Sequence, residues 1–343
     1  VCFKSASFHI IGQNTLPDIP MKFIDVDQHC QLVFATTEAP EIAADECLVK
    51  VRAVGVNRAD LLQRAGKYPP PAGESDILGL EVCGEIALCG ADVPNWQLGD
   101  KVFGLVPGGG YSEYARVKGA QLFQLPQDFS YSQGAATAEI FLTAFQNLFS
   151  LAKLQPGESV LIHAGASGVG TAAIMLAKLH GCEVTVTASS AEKLAACQAL
   201  GADHLINYRE QDFVQWKKKH NPGGFDVILD VVAGSYVNKN VSVAALDGRI
   251  VMLAMLGGRY SESLDIAKLL LKRLTLMAST LRNRSDEYKA RLVNDFCRYF
   301  GEELQQGKLK PLIDNIYHWQ DAELAHTRME KCENIGKLVL TLD

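Results

Sequence analysis

The chain has 343 residues, of which 48% are hydrophobic and 21% charged, with a net charge of -6 at pH 7. That length allows two domains with filled cores, and the mild acidity gives no electrostatic footing on nucleic acid or an anionic membrane surface. No run approaches the roughly 18–20 apolar residues of a membrane span. The nine cysteines are odd in number and have no C-x-x-C spacing, which argues against a disulfide framework or a clustered zinc site and makes the cytoplasm the default compartment.

Residues 1–20 have neither the charged start and apolar core of a secretory signal nor an Arg-rich amphipathic pattern. They read as a leader, upstream translation or an artefact outside the fold, with Met21–Val26 as the natural entry into a first strand. Residues 21–141 read as mainly β. Gln31–Thr36, Glu46–Val56, Val82–Leu88, Lys101–Leu105 and Tyr111–Val117 are short β-branched or alternating runs bounded by Gly, Pro and Asp. Arg58–Gly66 reads as a short helix, and the Pro/Gly stretches at Tyr68–Gly73 and Pro107–Gly110 as loops.

Over 142–283 strands and helices alternate. Strands are expected at Ser159–Ala164, Glu183–Ala188, His204–Tyr208, Val227–Val231, Arg249–Ala254 and Leu274–Thr280. Helices are expected near Thr171–His180, Ala191–Leu200, Asp212–His220, Ser235–Ala245 and Asp265–Leu271. Six strands with crossover helices predict a doubly wound parallel sheet, a Rossmann α/β domain. In residues 284–343 a long amphipathic helix, Ser285–Gln306, precedes strands at Ile313–His318 and Lys337–Leu342, which return to the first domain.

The junction of the first of these strands with Gly165-Ala166-Ser167-Gly168-Val169-Gly170-Thr171-Ala172-Ala173 carries the chemistry. Gly168 to Ala173 fits G-x-G-x-x-A, in which glycines permit a tight turn and a helix N-terminus faces a pyrophosphate. Val169, Ala172, Ala173, Leu176 and Ala177 then mark one apolar helix face. An acidic residue at the end of the second strand would bind a ribose 2′-hydroxyl and favour NAD(H), yet Thr187-Ala188-Ser189-Ser190 holds none. Glu192 is accounted for by a capping box with Ser189. Lys193, Tyr208 and Arg209 converge there and suit a 2′-phosphate, hence NADP(H).

Together with Asn57-Arg58-Ala59-Asp60-Leu61, Tyr68-Pro69-Pro70-Pro71, Leu78-Gly79-Leu80-Glu81, Gly99-Asp100-Lys101-Val102, Pro107–Gly110, Leu142-Thr143-Ala144-Phe145 and Asn334-Ile335-Gly336-Lys337, this loop resembles a known family. It is the zinc-free quinone oxidoreductase branch of the medium-chain dehydrogenase/reductase superfamily, in particular the tumour-suppressor-inducible subgroup related to zeta-crystallin. The resemblance implies a β-rich GroES-like catalytic domain beside the Rossmann domain. It places Asn57 and Thr143 near the nicotinamide, Gly165, Ser167, Gly168 and Val169 at the pyrophosphate, and Ser189, Lys193 and Tyr208 at the 2′-phosphate of NADPH. Met255, Leu256, Gly257 and Asn334 would line the nicotinamide and substrate cleft.

Some members carry a tyrosine where Leu62 stands, so Tyr68 is the single tyrosine candidate for the substrate site. On the residues alone Asn57 reads as a cap, Thr143 as a helix hydroxyl, Tyr68 as packing on three prolines and His163 as a satisfied core histidine. Zinc-dependent relatives need a Cys, a Gly-His-Glu motif and a second Cys; here Leu80 replaces the histidine and the first motif has no cysteine. The expected activity is metal-free reduction of a quinone by NADPH, with reduction of an enone or enal as the alternative. A nucleotide-binding regulatory or structural protein with little turnover is a further one. Similar proteins dimerise through the edge strand, here Leu274–Thr280.

Overall fold

The computed structural model describes residues 20–342. The expected leader lies outside the described residues except for Pro20, which already belongs to the first strand. In chain order the strands are β1 (Pro20–Val26), β2 (Leu32–Glu38), β3 (Glu46–Val56), β4 (Glu81–Cys89), β5 (Lys101–Leu105), β6 (Tyr114–Lys118) and β7 (Leu122–Gln124). They continue as β8 (Ser159–Ile162), β9 (Glu183–Ala188), β10 (His204–Asn207), β11 (Phe225–Asp230), β12 (Ala244–Met252), β13 (Thr275–Ala278), β14 (Ile313–His318) and β15 (Lys337–Thr341). The helices are α1 (Arg58–Arg64), α2 (Tyr131–Ala135), α3 (Ala138–Phe145), α4 (Gly168–Leu179) and α5 (Ala191–Ala199). After them come α6 (Phe213–His220), α7 (Tyr236–Val243), α8 (Ile266–Lys272), α9 (Asp286–Gln305) and α10 (Ala322–Glu330).

Six strands form a sheet in the order β10-β9-β8-β11-β12-β13, every neighbouring pair parallel. Counted from β8 this is the 3-2-1-4-5-6 order of the Rossmann fold, whose chain reversal between β8 and β11 opens a crevice beyond the strand ends. Burial explains why these strands read as continuous apolar runs: Val160, Leu161 and Ile162 are fully buried.

A second sheet, ordered β14-β15-β3-β4-β5-β7 with β6 on β3, makes the GroES-like domain. Here β15, from the far end of the described chain, pairs antiparallel with β3. One core joins the two sheets: Phe103 and Phe123 from the second meet Phe141 and Phe145 of α3 and Phe296 of α9.

Several expectations are corrected. The strand read to Ala164 ends at Ile162, because Ala164 takes a left-handed φ of 52° and turns the chain into the loop. The strand read at Tyr111–Val117 begins at Tyr114, the one read from Arg249 begins at Ala244, and the edge strand is shortened to Thr275–Ala278. Helices α2 and α10 and a π-helical turn at Gln146–Leu151 are additional to the expected elements, and α3 gives the helix that the reading of Thr143 as a helix hydroxyl implied, without expected bounds. In α3 nearly every side chain is buried, so no polar face marks its period.

Candidate functional site

The site has two ends. At the first, β8 feeds the glycine loop into α4, and Ser167 caps the helix by accepting from the Gly170 amide at 3.1 Å. The Thr171 amide bonds the Ser167 carbonyl. Among the described residues the Val169 amide has no backbone or side-chain acceptor and stands at the positive end of the helix dipole, while the Gly168 amide faces the Gly336 carbonyl across the bridge that pairs Ser167 with Gly336.

The glycines are required by the fold as well as by any ligand. A Cβ at Gly170 would lie 2.5 Å from the Ala164 carbonyl oxygen. One at Gly168 would lie 2.9 Å from Cδ of Lys337. The loop around Asn334 closes over this turn: the Gly336 amide donates to the Ala166 carbonyl at 2.8 Å, and Asn334 Nδ2 to the Gly336 carbonyl at 2.8 Å.

At the end of β9 the helix cap is Ser190, whose Oγ accepts from the Lys193 amide; the expected Ser189–Glu192 capping box is therefore corrected by one residue, and Glu192 is exposed. Lys193 Nζ donates to the Cys332 carbonyl at 2.6 Å and forms no ion pair among the described residues. Tyr208 is exposed, and its amide bonds the Ala188 carbonyl, so it stands beside the same strand end. Across the crevice, Leu256 and Gly257 donate to the carbonyls of Val231 and Val232, leaving the side chains of Met255 and Leu256 exposed. These groups fit a dinucleotide: a free amide at a helix N-terminus, a lysine without a carboxylate partner and no acid at the C-terminal end of β9.

The second end is buried. Lys337 Nζ, 2% exposed, donates to Glu81 Oε1 at 2.6 Å, to Asn57 Oδ1 at 2.8 Å and to the Val56 carbonyl at 2.8 Å. Asn57 Nδ2 donates to Glu81 Oε1 at 3.0 Å and its amide to Asp60 Oδ2 at 2.7 Å, so its side chain is committed within the protein. Glu81 Oε2 accepts from the Glu139 amide, and Glu139 Oε1 accepts from Thr143 Oγ1 at 3.2 Å. Asn57 and Thr143 are thereby linked through two carboxylates that were not singled out in the sequence.

Burial pushes the Asp60 carboxyl up to about 6, against the pull of the Asn57 amide and Lys337. Burial, followed by the Glu81 charge, pushes Glu139 up to about 7. Tyr68 is half-buried with its ring centroid 5.5 Å from the Arg282 guanidinium, and burial raises its phenol. His163 lies elsewhere, fully buried between Thr187 Oγ1 at 3.0 Å and Asn240 Oδ1 at 2.8 Å, the satisfied core histidine.

Sequence reading missed Glu139, Arg282, Lys289 and the Glu81–Lys337 bond. The available signal was a charge isolated in an apolar stretch, as Glu139 stands in Ala135-Ala136-Thr137-Ala138-Glu139-Ile140-Phe141-Leu142. Among the described residues no group of three or more His, Cys, Asp or Glu side chains is placed to hold a metal ion. No helix among them is long and apolar enough to cross a membrane.

Residues 43–127 match the alcohol dehydrogenase GroES-like domain family and residues 168–296 the zinc-binding dehydrogenase family. The chain is 31% identical over 317 residues to the synaptic vesicle membrane protein VAT-1 homolog of Danio rerio, covering 89% of this chain and 66% of that one. For the Mus musculus protein of the same name the identity is 30%, covering 88% of this chain and 77% of the relative. A quinone oxidoreductase of Pongo abelii is 28% identical, covering 87% of this chain and 89% of its own. Among solved structures, the CurK enoyl reductase superposes with a TM-score of 0.82 at 27% identity, over 94% of this chain and 99% of that one.

Proposed function

This chain belongs to the quinone oxidoreductase branch of the medium-chain dehydrogenase/reductase superfamily, and on that premise we propose that it is an NADPH-dependent quinone oxidoreductase working without a metal. The observation that carries this reading is the Glu81–Lys337 bond. Of the zinc motif's Gly-His-Glu, Gly79 and Glu81 persist, and Glu81 is the one possible metal ligand left. Its carboxylate is neutralised by a buried ammonium, and the neighbouring position is Leu80, so no Lewis-acid ligand set remains in that motif.

When bound, NADPH would supply a hydride from the nicotinamide ring. The chain's own residues do the rest. The Val169 amide holds the pyrophosphate, with Gly165, Ser167 and Gly168 shaping the turn. Lys193, Ser189 and Tyr208 hold the 2′-phosphate. Asn57, Thr143, Met255, Leu256, Gly257 and Asn334 form the walls around the nicotinamide, and Tyr68 faces the acceptor. A quinone is already electrophilic, so positioning contributes most of the acceleration. The open edge of β13 and the exposed Leu270 and Leu271 support a homodimer, which light scattering tests. A cytoplasmic location belongs to the same reading.

An enone or enal reductase is the second reading, favoured by the likeness to CurK enoyl reductase and by a carboxyl, Glu139, able to give up a proton near neutrality. The test is NADPH consumption with 1,2- and 1,4-quinones and 2-enals side by side. Faster quinone turnover supports the proposal, and faster enal turnover replaces it with the second reading. No turnover despite tight NADPH binding leaves a nucleotide-binding regulatory protein. Lys193→Ala should weaken NADPH binding at least tenfold and NADH binding little; equal losses refute the phosphate assignment.

A further inference from the structure

Arg282 and Lys289 are 8% and 6% exposed, and both open on one small cavity with Glu139 and the apolar walls Leu80, Leu105 and Val106. Arg282 is held by two contacts, Nε donating to the Pro107 carbonyl at 2.7 Å and the guanidinium lying against the Tyr68 ring. Its two Nη nitrogens are buried and have no hydrogen-bond partner. Neither cation is in an ion pair among the described residues. Asp60, Glu74 and Glu139 offset the charge of Arg282, and Asp286, Glu74 and Glu139 that of Lys289, without bonding either. Unfilled guanidinium donors in a buried site are costly to maintain, and two of them side by side match one planar oxygen acceptor.

We propose that Arg282 is the acceptor-oxygen site, its two free Nη groups receiving the carbonyl oxygen of the acceptor beside Lys289, while Glu139 supplies the proton through the Thr143 hydroxyl. This rests on the reading of the chain as a reductase of conjugated carbonyl compounds. A hydride from the reduced nicotinamide forms a new bond to the conjugated system, and the displaced π pair comes to rest on the carbonyl oxygen. Arg282 and Lys289 stabilise that oxyanion. Thr143 then gives its hydroxyl proton to the oxygen and takes one from the Glu139 carboxyl, which recovers a proton from solvent. The groups facing Glu139 are Glu81, Lys337, Asp60, Thr143, Tyr68, Arg282 and Lys289. Burial together with Glu81 keeps its carboxyl protonated up to about 7.

The test reads binding without turnover. In protein saturated with NADP+, the affinities of 1,4-naphthoquinone (neutral) and 2-hydroxy-1,4-naphthoquinone (ionised at neutral pH) are measured for the wild type, Arg282→Ala and Arg282→Lys. The wild type should prefer the anion at least tenfold. Arg282→Ala should lose about 100-fold in anion affinity and the whole preference, with Arg282→Lys between the two. NADP+ affinity within twofold of wild type certifies the fold of each variant. An Arg282→Ala protein that folds and keeps the anion preference overturns the proposal.

Glu139→Gln should keep anion binding, lower kcat about 100-fold and abolish the fall in kcat above pH 7; a retained alkaline limb overturns its proton role. If the wild type shows Arg282-dependent anion binding but reduces no quinone or enal, the site stands and the reductase reading falls.

Discussion

The two ends of the crevice are built by opposite means. The nucleotide end comes from one continuous segment, β8 through α4, plus the strand end carrying Lys193, and it leaves an amide and an ammonium available to a ligand. The inner end is assembled from residues far apart in the chain: Asn57, Glu81, Glu139 and Lys337. There nearly every polar atom is paired with another of the same cluster. One end can lose a side chain and forfeit binding with little stability. The other cannot lose one without stranding a buried charge, which costs more than any single surface contact.

The sharpest way to break this contrast is Lys337→Met. It leaves Glu81, 0% exposed, without its cation, so the unfolding free energy should drop by about 3–5 kcal/mol, read from denaturant midpoints. A drop below about 1 kcal/mol would make the inner cluster no more integrated than a surface pair.

Gly170→Ala comes next. It drives a Cβ against backbone oxygens at 2.5 and 2.6 Å, with an expected loss of about 1–3 kcal/mol and a matching loss of nucleotide affinity. Unchanged stability would show that the loop gives way freely.

Glu139→Gln tests the inner end through pH. The Glu139 carboxyl titrates at about 7 in the fold, above the ordinary 4.5, so the folded state keeps a proton that the unfolded chain has released. Wild-type stability is therefore highest below the unfolded value and declines as pH rises to about 7. The glutamine variant escapes that decline. It should equal wild type near pH 4.5 and exceed it at pH 8 by about 1–2 kcal/mol, after allowance for partial exposure. Parallel pH curves would contradict the burial argument.

The smallest effect belongs to the nucleotide end: Ser167→Ala removes the cap on α4 and should cost about 1 kcal/mol, checked by thermal midpoint with and without NADPH.

The same division governs what the sequence could disclose. Ser167 to Ala173 is legible because its chemistry lies in neighbouring residues and the flanking strand and helix carry their own periods. The missing acid after β9 is legible for the same reason. Arg282 and Glu139 were not, since their meaning lies in what they fail to bond or in a carboxylate on another strand. Asn57 was found through family likeness, but its amide proved to be spent on Glu81 and Lys337. Element bounds over 131–151 were missed because complete burial erases the alternation that distinguishes a helix from a strand. Ser189 was given the cap of Ser190 because two adjacent serines offer the same signal, and only backbone angles separate them.

The position of β15 has a consequence for how the molecule assembles. Among the six parallel strands the most distant pairing is that of β8 with β11, as Val160 with Val227, whereas one edge of β3 must wait for a partner some 280 positions later, as in the pairing of Leu338 with Val56. Loop closure of that span is entropically expensive, and topologies dominated by such distant pairings form slowly. Refolding is therefore expected in two phases. The fast phase yields a nucleotide turn with its amides in place but with no Lys337 packed against Gly168 and no Gly336 amide on Ala166. Competence to hold the dinucleotide in register then arrives only with the slow phase, so recovery of bound NADPH fluorescence should lag recovery of helical signal.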